Sequence, residues 1–315
     1  MNSVPIGLGI ALPKKCLKNS ELPQVLDTSD EWIVQRTGIQ QRYLAEEEST
    51  ASLATEAARN ALEHAGILPE EVDLLVVGTV TGDYTFPSTA AIVQRNLNIP
   101  NGVAFDVNAA CSGFLFSLDI ADAYIKLGKA KCALVIGADT FSRILDWTDR
   151  SSCVLFGDGA GALVLRAQEN IDRGIVSSQI CSDGNYADYL ITTGGVSTTR
   201  NSGFVKMCGR EVFKFAVEKF NESLKILLKN NNMTIQDVDL LVPHQANIRI
   251  IRQLIENSGI EEKKVLININ KYANTSAASI PLALYERKDA FFSGGNTVLL
   301  SIGAGFTWGS VLIKL

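Results

Sequence analysis

Glu71-Val-Asp-Leu-Leu-Val-Val-Gly78 is an apolar run that reads as a buried strand, and it follows a helical pattern over residues 52–65 with Gly66 as its stop. Its centre, Asp73-Leu-Leu-Val76, recurs 166 positions later as Asp239-Leu-Leu-Val242. Ile136-Gly-Ala138 recurs as Ile302-Gly-Ala304 at the same offset, and the stretch 103–108 corresponds to 265–270 with a slip of four. A helical pattern over 211–229 stands before the second strand, as 52–65 stands before the first. Two matches at one offset, in one order, argue for a duplicated α/β unit. Working outward, 103–107 and 133–138 are further strands. Phe114, Leu118, Ala121 and Ile125 recur at helical spacing up to Gly128. Val265-Leu-Ile-Asn-Ile269 is expected as a strand, and so is the pair Cys153-Val-Leu-Phe156 and Ala162-Leu-Val-Leu-Arg166. Continuous apolar strands separated by helices imply sheets covered on both faces. The halves are expected to span 1–170 and 171–315.

The chain has 315 residues, 46% hydrophobic and 20% charged, which is the balance of a soluble globular protein. A formal charge of −5 disfavours nucleic acid and anionic membranes as partners. From Arg200 to Arg252, however, nine Lys/Arg face five Asp/Glu, a surplus suited to an anionic ligand or protein. Six cysteines lie far apart with no CxxC, so neither a disulfide framework nor a zinc site is expected, and a reducing cytoplasm is the simpler setting. Met1-Asn-Ser-Val-Pro has no basic n-region, so no signal peptide is expected, and no apolar run reaches the ~18 residues of a membrane span.

Cys111 stands between the strand 103–107 and a helical pattern, in Asn108-Ala-Ala-Cys-Ser-Gly-Phe114. A helix N-terminus there is expected to lower its pKa from roughly 8.5 towards neutrality. Of the two histidines, His64 lies near a helix C-terminus, where a cation suits the dipole and a structural role is expected. His244 directly follows a buried strand, where open α/β sheets place their chemistry. Asn274 follows the expected strand 265–269, near the position in the second half that Cys111 holds in the first, so the two should face each other across a pseudo-twofold axis. Gly157-Asp-Gly-Ala-Gly161 lacks dinucleotide-loop spacing and is expected as a tight turn between paired strands. Gly303-Ala-Gly-Phe-Thr-Trp-Gly309 closes the last strand pair and could aim a backbone N–H at a reacting centre. Cys, His and Asn in this order also describe papain-like hydrolases, but Ala-Ala-Cys-Ser-Gly lacks that family's context.

Together with Asp27-Thr-Ser-Asp-Glu-Trp-Ile33, Arg36-Thr-Gly-Ile39, Phe86-Pro-Ser88, Pro243-His-Gln-Ala-Asn247, Asn274-Thr-Ser-Ala-Ala-Ser279 and Phe306-Thr-Trp-Gly309, these segments resemble the thiolase-fold condensing enzymes, specifically the β-ketoacyl-[acyl carrier protein] synthase III family. The resemblance spans essentially the whole chain. It implies an α/β thiolase-like fold with duplicated βαβαβ halves in five αβαβα layers. It implies an acyltransferase that joins an acyl-CoA primer, acetyl-CoA being the expected one, to malonyl-[acyl carrier protein] with loss of CO2, starting fatty acid synthesis. A related condensing enzyme of a polyketide or quinolone pathway would carry the same triad.

The resemblance also implies residue roles. Cys111, His244 and Asn274 would be the triad, with the backbone N–H groups of Cys111 and Ala304 as oxyanion donors. Trp32, Arg36 and Arg150 would contact coenzyme A. Lys214 and the segment Gln245, Ala246, Asn247, Ile248 and Arg249 would dock the carrier protein. Phe86 would close the acyl pocket of a partner subunit in a homodimer. No metal or cofactor is expected.

Overall fold

The computed structural model describes residues 1–169 and 172–315, so the boundary expected near residue 170 lies outside the described residues. The first part of the chain runs β1 (Asn2–Ala11), β2 (Lys15–Lys18), α1 (Asp30–Thr37), β3 (Gln41–Leu44), α2 (Thr50–Ala65), β4 (Leu74–Gly78), α3 (Thr89–Leu97), β5 (Val103–Val107), α4 (Gly113–Lys126), β6 (Cys132–Asp139) and β7 (Gly159–Gln168). It continues through β8 (Gly174–Ser182), β9 (Leu190–Thr192), β10 (Val205–Met207), α5 (Gly209–Asn230), β11 (Leu240–Pro243) and α6 (Ile248–Ser258). The last part holds α7 (Ile269–Tyr272), α8 (Ser279–Glu286), α9 (Lys288–Phe292), β12 (Asn296–Gly303) and β13 (Thr307–Lys314).

Two sheets dominate, ordered β1-β7-β6-β4-β5 and β8-β13-β12-β11. The second repeats the first strand for strand, and a single bridge from Leu241 to Val265 stands where β5 pairs with β4. Alternation along the strands explains their unbroken apolar character. Leu74 and Val76 pack inward with Phe114, Leu118, Ile280 and Leu284 of α4 and α8. Leu75 and Val77 pack outward against Ala57 and Ala61 of α2 and Val93 of α3. In the second sheet Leu240 and Val242 face the same inner core, while Leu241 faces Phe220 of α5 and Leu254 of α6. The layers are therefore α2/α3, sheet, α4/α8, sheet, α5/α6, as the resemblance implied.

Three expectations change. The segment 265–269 is not a strand: after the bridge at Val265 it turns into α7. The Gln245 carboxamide takes the place of a neighbouring strand there, donating to Leu266 O (3.0 Å) and accepting from Asn268 N (3.0 Å). Residues 153–156 form no strand either. Asp149 gathers them into turns, its carbonyl accepting from Cys153 N (3.1 Å) and its carboxylate from Ser151 N (2.9 Å). Finally, the Ile-Gly-Ala match is two residues out of register. Leu74 faces Ala133 on β6, and Leu240 faces Thr297 on β12, so the offset between those strands is 164 rather than 166.

Candidate active site

Cys111 sits in a 3-10 turn, Ala110–Ser112, that leads into α4. Ala110 there has φ 47°, a left-handed conformation that a residue with a Cβ adopts only under tertiary constraint. The constraint comes from the other half. Thr307 Oγ1 donates to Ala109 O (3.0 Å), and Ser112 Oγ donates to Thr307 O (3.2 Å). Gly303 lies so close that a Cβ on it would stand 2.9 Å from Cys111 N, so this position needs glycine. The turn after β12 is thereby locked onto the cysteine, with Ala304 one residue further on.

His244 directly follows β11 and is 1% exposed. Its Nδ1 lies 2.5 Å from Ser279 Oγ, and Gln245 N donates to that same oxygen (3.4 Å). With a donor already on its oxygen, the Ser279 O–H is directed at Nδ1, which leaves the proton of a neutral ring on Nε2. Asn274 is held along the stretch before β7: its N donates to Leu155 O (2.9 Å) and its carbonyl accepts from Gly157 N (3.0 Å). Asn274 Oδ1 accepts from Ser276 N (2.9 Å), so the amide NH2 is the end left to point into the site. Gly157-Asp-Gly is accordingly no hairpin turn. It carries Asn274, and Asp158 anchors it by accepting from Ala45 N (2.7 Å) and Ser142 N (2.8 Å). Cys111, His244 and Asn274 line one largely apolar cavity of about 100 Å³, together with Phe156, Phe213 and Phe306.

Burial governs the charges. It pushes the Cys111 thiol up to about 12, against the lowering expected from the helix N-terminus, and it pushes His244 down to about 3. The resting site thus holds a thiol and a neutral imidazole. His64 is also neutral rather than cationic: its Nδ1 accepts from Leu8 N (3.1 Å) and burial lowers its pKa. Its structural role stands on that bond.

The cavity opens through Leu155, Met207, Gly209, Phe213 and Asn247 into an outer groove. Trp32, Arg36, Arg150, Arg210 and Arg249 line this groove. The Arg36 and Arg150 guanidiniums lie 5.1 and 5.4 Å from the Trp32 ring centre. Arg249 stands 5.5 Å over Phe213, and Lys214 is exposed on α5. The expected docking segment divides here. Gln245 and Ile248 are buried, Gln245 being consumed by Pro243 O, Leu266 O and Asn268 N, so neither offers a surface to a partner. Ala246 and Asn247 are half-buried, and Asn247 caps α6 by accepting from Arg249 N. Of the segment, Arg249 alone is exposed. A second cavity of about 430 Å³ also reaches Cys111, lined by Phe141, Leu190, Val205 and Ala304. Phe86 is 84% exposed and lines neither cavity of its own chain. Among the described residues no cluster of His, Cys, Asp and Glu could hold a metal ion, and no helix is long and apolar enough to cross a membrane. Sequence reasoning missed Ser279, although it lies in the Asn274 motif, because only the fold brings it to His244.

Two like sheets around a shared helical layer, with a buried cysteine at their seam, define a thiolase-fold enzyme. A family model for 3-oxoacyl-[acyl-carrier-protein (ACP)] synthase III matches residues 105–184, and its C-terminal counterpart matches 228–315. The chain is 52% identical to β-ketoacyl-[acyl-carrier-protein] synthase III of Rhizobium meliloti (strain 1021), over 100% of this chain and 99% of that one. The chain belongs to the β-ketoacyl-[acyl carrier protein] synthase III family, the condensing acyltransferases of fatty acid biosynthesis. The solved 3-oxoacyl-[acyl-carrier-protein] synthase III from Aquifex aeolicus VF5 superposes with a TM-score of 0.94 at 45% identity, covering 99% of this chain and 100% of that one. The priming β-ketosynthase of the R1128 polyketide biosynthetic pathway gives 0.93 at 32% identity, covering 99% and 96%. The papain-like alternative falls with the fold.

Proposed function

We propose that this enzyme condenses an acyl-CoA primer, acetyl-CoA foremost, with malonyl-[acyl carrier protein] in two half-reactions on Cys111. The observation that carries this reading is the convergence of Cys111, His244 and Asn274 on one cavity whose mouth is lined by four arginines. The anionic nucleotide end of coenzyme A binds at Trp32, Arg36 and Arg150, and its thioester reaches Cys111 down the channel. Cys111 takes the acyl group as a thioester and coenzyme A leaves. Malonyl-carrier protein then docks at the exposed charges Lys214 and Arg249. Its decarboxylation forms an enolate, which accepts hydrogen bonds from His244 Nε2 and the Asn274 amide. The enolate carbon attacks the acyl-cysteine, and the new oxyanion rests on the N–H groups of Cys111 and Ala304. Each such donor is worth about 2.7–4 kcal/mol of barrier. The second cavity takes the acyl chain.

A homodimer fits the exposed surface. Strand β5 is an unpaired sheet edge with Val103 52% exposed, and Tyr84 and Phe86 are exposed at 67% and 84%. The two halves 1–170 and 171–315 act as one catalytic unit, because the triad draws on both. A setting in the cytoplasm and a reaction without cofactor complete the reading.

Intact-mass measurement after mixing with acetyl-CoA tests it. Wild type gains one acetyl group and Cys111→Ser gains none; a wild type that stays unmodified overturns the assignment. The R1128 relative favours one second reading, a priming step in polyketide synthesis. A panel of acetyl, branched and medium-chain primers separates the two.

A further inference from the structure

Near Cys111 lies a buried acid that the mechanism above leaves unused. Asp139 ends β6 and is fully buried, and its two oxygens differ. Oδ1 accepts from Thr79 Oγ1 (3.0 Å), Val80 N (2.9 Å) and Thr81 Oγ1 (2.8 Å). Oδ2 has a single long contact from Ala277 N (3.4 Å). The turn Ser276–Ala278 that supplies this contact also packs on the turn that holds Cys111. Ser276 lies in that turn with φ 51° and is completely buried. Its hydroxyl lies close enough to both the Cys111 thiol and the Asp139 carboxylate to favour the charged form of each, though it is fixed in no well-formed hydrogen bond to either. A buried hydroxyl beside both a thiol and a carboxylate, with no well-formed bond of its own, calls for a role.

We propose that Asp139, acting through the Ser276 hydroxyl, takes up the Cys111 proton during acyl loading and returns it when the product leaves. The inference rests on Cys111 being the nucleophile of the proposed reaction. In loading, the S–H proton passes to Ser276 Oγ as the Ser276 proton passes to Asp139 Oδ2. The sulfur pair forms the new C–S bond, and coenzyme A departs as a thiolate that takes a proton from water. Asp139 is then neutral while malonyl-carrier protein binds, so no second buried anion opposes the enolate. When the enolate carbon attacks, the Cys111 C–S bond breaks, and Asp139 returns its proton through Ser276 to the departing thiolate. Burial raises its pKa above that of an ordinary carboxyl, which favours holding the proton once it arrives. The titratable groups that bear on it are Cys111 and Asp158, and neither is cationic.

Rapid-quench mass measurement of acetyl loading across pH, beside CO2 release from enzyme already acetylated, tests the relay. In Asp139→Asn, loading slows about 100-fold, the usual contribution of a positioned base. Its rate then climbs without a plateau through pH 10, because the thiol must ionise unaided, while CO2 release stays within about twofold of wild type on the same general-base argument. Ser276→Ala shows the same split with about a tenfold loss in loading, and it serves if Asp139→Asn does not fold. Loading at the wild-type rate with an unchanged pH profile in Ser276→Ala overturns the relay, as does equal loss of both half-reactions in folded Asp139→Asn. A wild type that takes no acetyl group overturns the nucleophile itself, a separate result.

Discussion

The two halves share a backbone plan and, in the proposed reaction, divide the chemistry between them. In the first half β4 ends at Gly78, and Gly78 packs on Gly113 at the start of α4, so closely that a Cβ on Gly78 would stand 2.4 Å from Gly113 C. At the matching places in the second half, 166 residues on, stand His244 and Ser279, which are hydrogen bonded. The turn before α4 has Ala110 in the left-handed region followed by Cys111; the turn before α8 has Ser276 in that region followed by Ala277. Ala277, not Asn274, therefore holds the place that corresponds to Cys111. Each half keeps the slot that the other fills with a reactive group empty or small. The lesson is that duplication supplied two equivalent frames, and side-chain volume decided which frame carries which step.

The largest effect should separate those steps. His244→Ala and Asn274→Ala are expected to slow malonyl decarboxylation about 100- to 1,000-fold, the cost of one oxyanion donor. Acetyl loading of Cys111 should fall much less, and CO2 release and intact mass report the two separately. Equal losses would mean that the halves do not divide the reaction.

The next test exchanges volume. Gly78→Ala should destabilise by about 1–3 kcal/mol, because the added methyl meets Gly113 backbone that cannot move aside, and thermal denaturation reads it. Ser279→Ala, at the equivalent contact in the other half, should also cost about 1–3 kcal/mol, because His244 Nδ1 is left buried without its partner, but it should in addition slow decarboxylation about tenfold through loss of the bond that sets the ring. A stable, fully active Gly78→Ala would erase the contrast.

Acid stability should also follow the second half. Folded His244 titrates near 3, well below the ordinary 6.5. Between those values the unfolded chain binds a proton that the folded chain refuses, so stability is complete above about pH 6.5 and falls as the pH drops towards 3. His64 contributes in the same direction. Urea unfolding at pH 7 and pH 5 should show a smaller difference for His244→Gln than for wild type.

The smallest effect concerns the rim. Arg249→Glu is expected to raise the apparent KM for malonyl-carrier protein about tenfold and to leave acetyl loading nearly intact. The wild-type KM should rise with salt, and the variant's should not. An unchanged KM would remove Arg249 from the docking surface.

Much of this was legible in the chain. Strand alternation hides in continuous apolar runs, yet the repeated Asp-Leu-Leu-Val still revealed the duplication, because burial on both faces constrains strand composition in both halves. Cys111, His244 and Asn274 stood out because their residue types and flanks are unusual for a core. The strand at 265–269 was misread because a single side chain, Gln245, replaces a strand's hydrogen bonds there, and no local pattern announces that. Gln245 and Ile248 were expected to dock a partner because the family resemblance implies that role for the whole segment 245–249, and such a match carries no information about which way each side chain faces.

The sequence by itself determined the duplicated α/β plan through spacing, and its resemblance to the family implied the proposed nucleophile, its two polar partners and the charges at the rim. Only the tertiary structure decided their state. Burial makes the resting cysteine a thiol rather than a thiolate and the histidine neutral. Ser279 chooses the imidazole tautomer, Leu155 and Gly157 of the other half hold the Asn274 backbone while Ser276 N aims its amide, and Ala277 of the other half reaches Asp139. These are properties of distance and solvent exclusion between segments that only the fold brings together, some of them more than 100 residues apart, which periodicity along a chain does not encode.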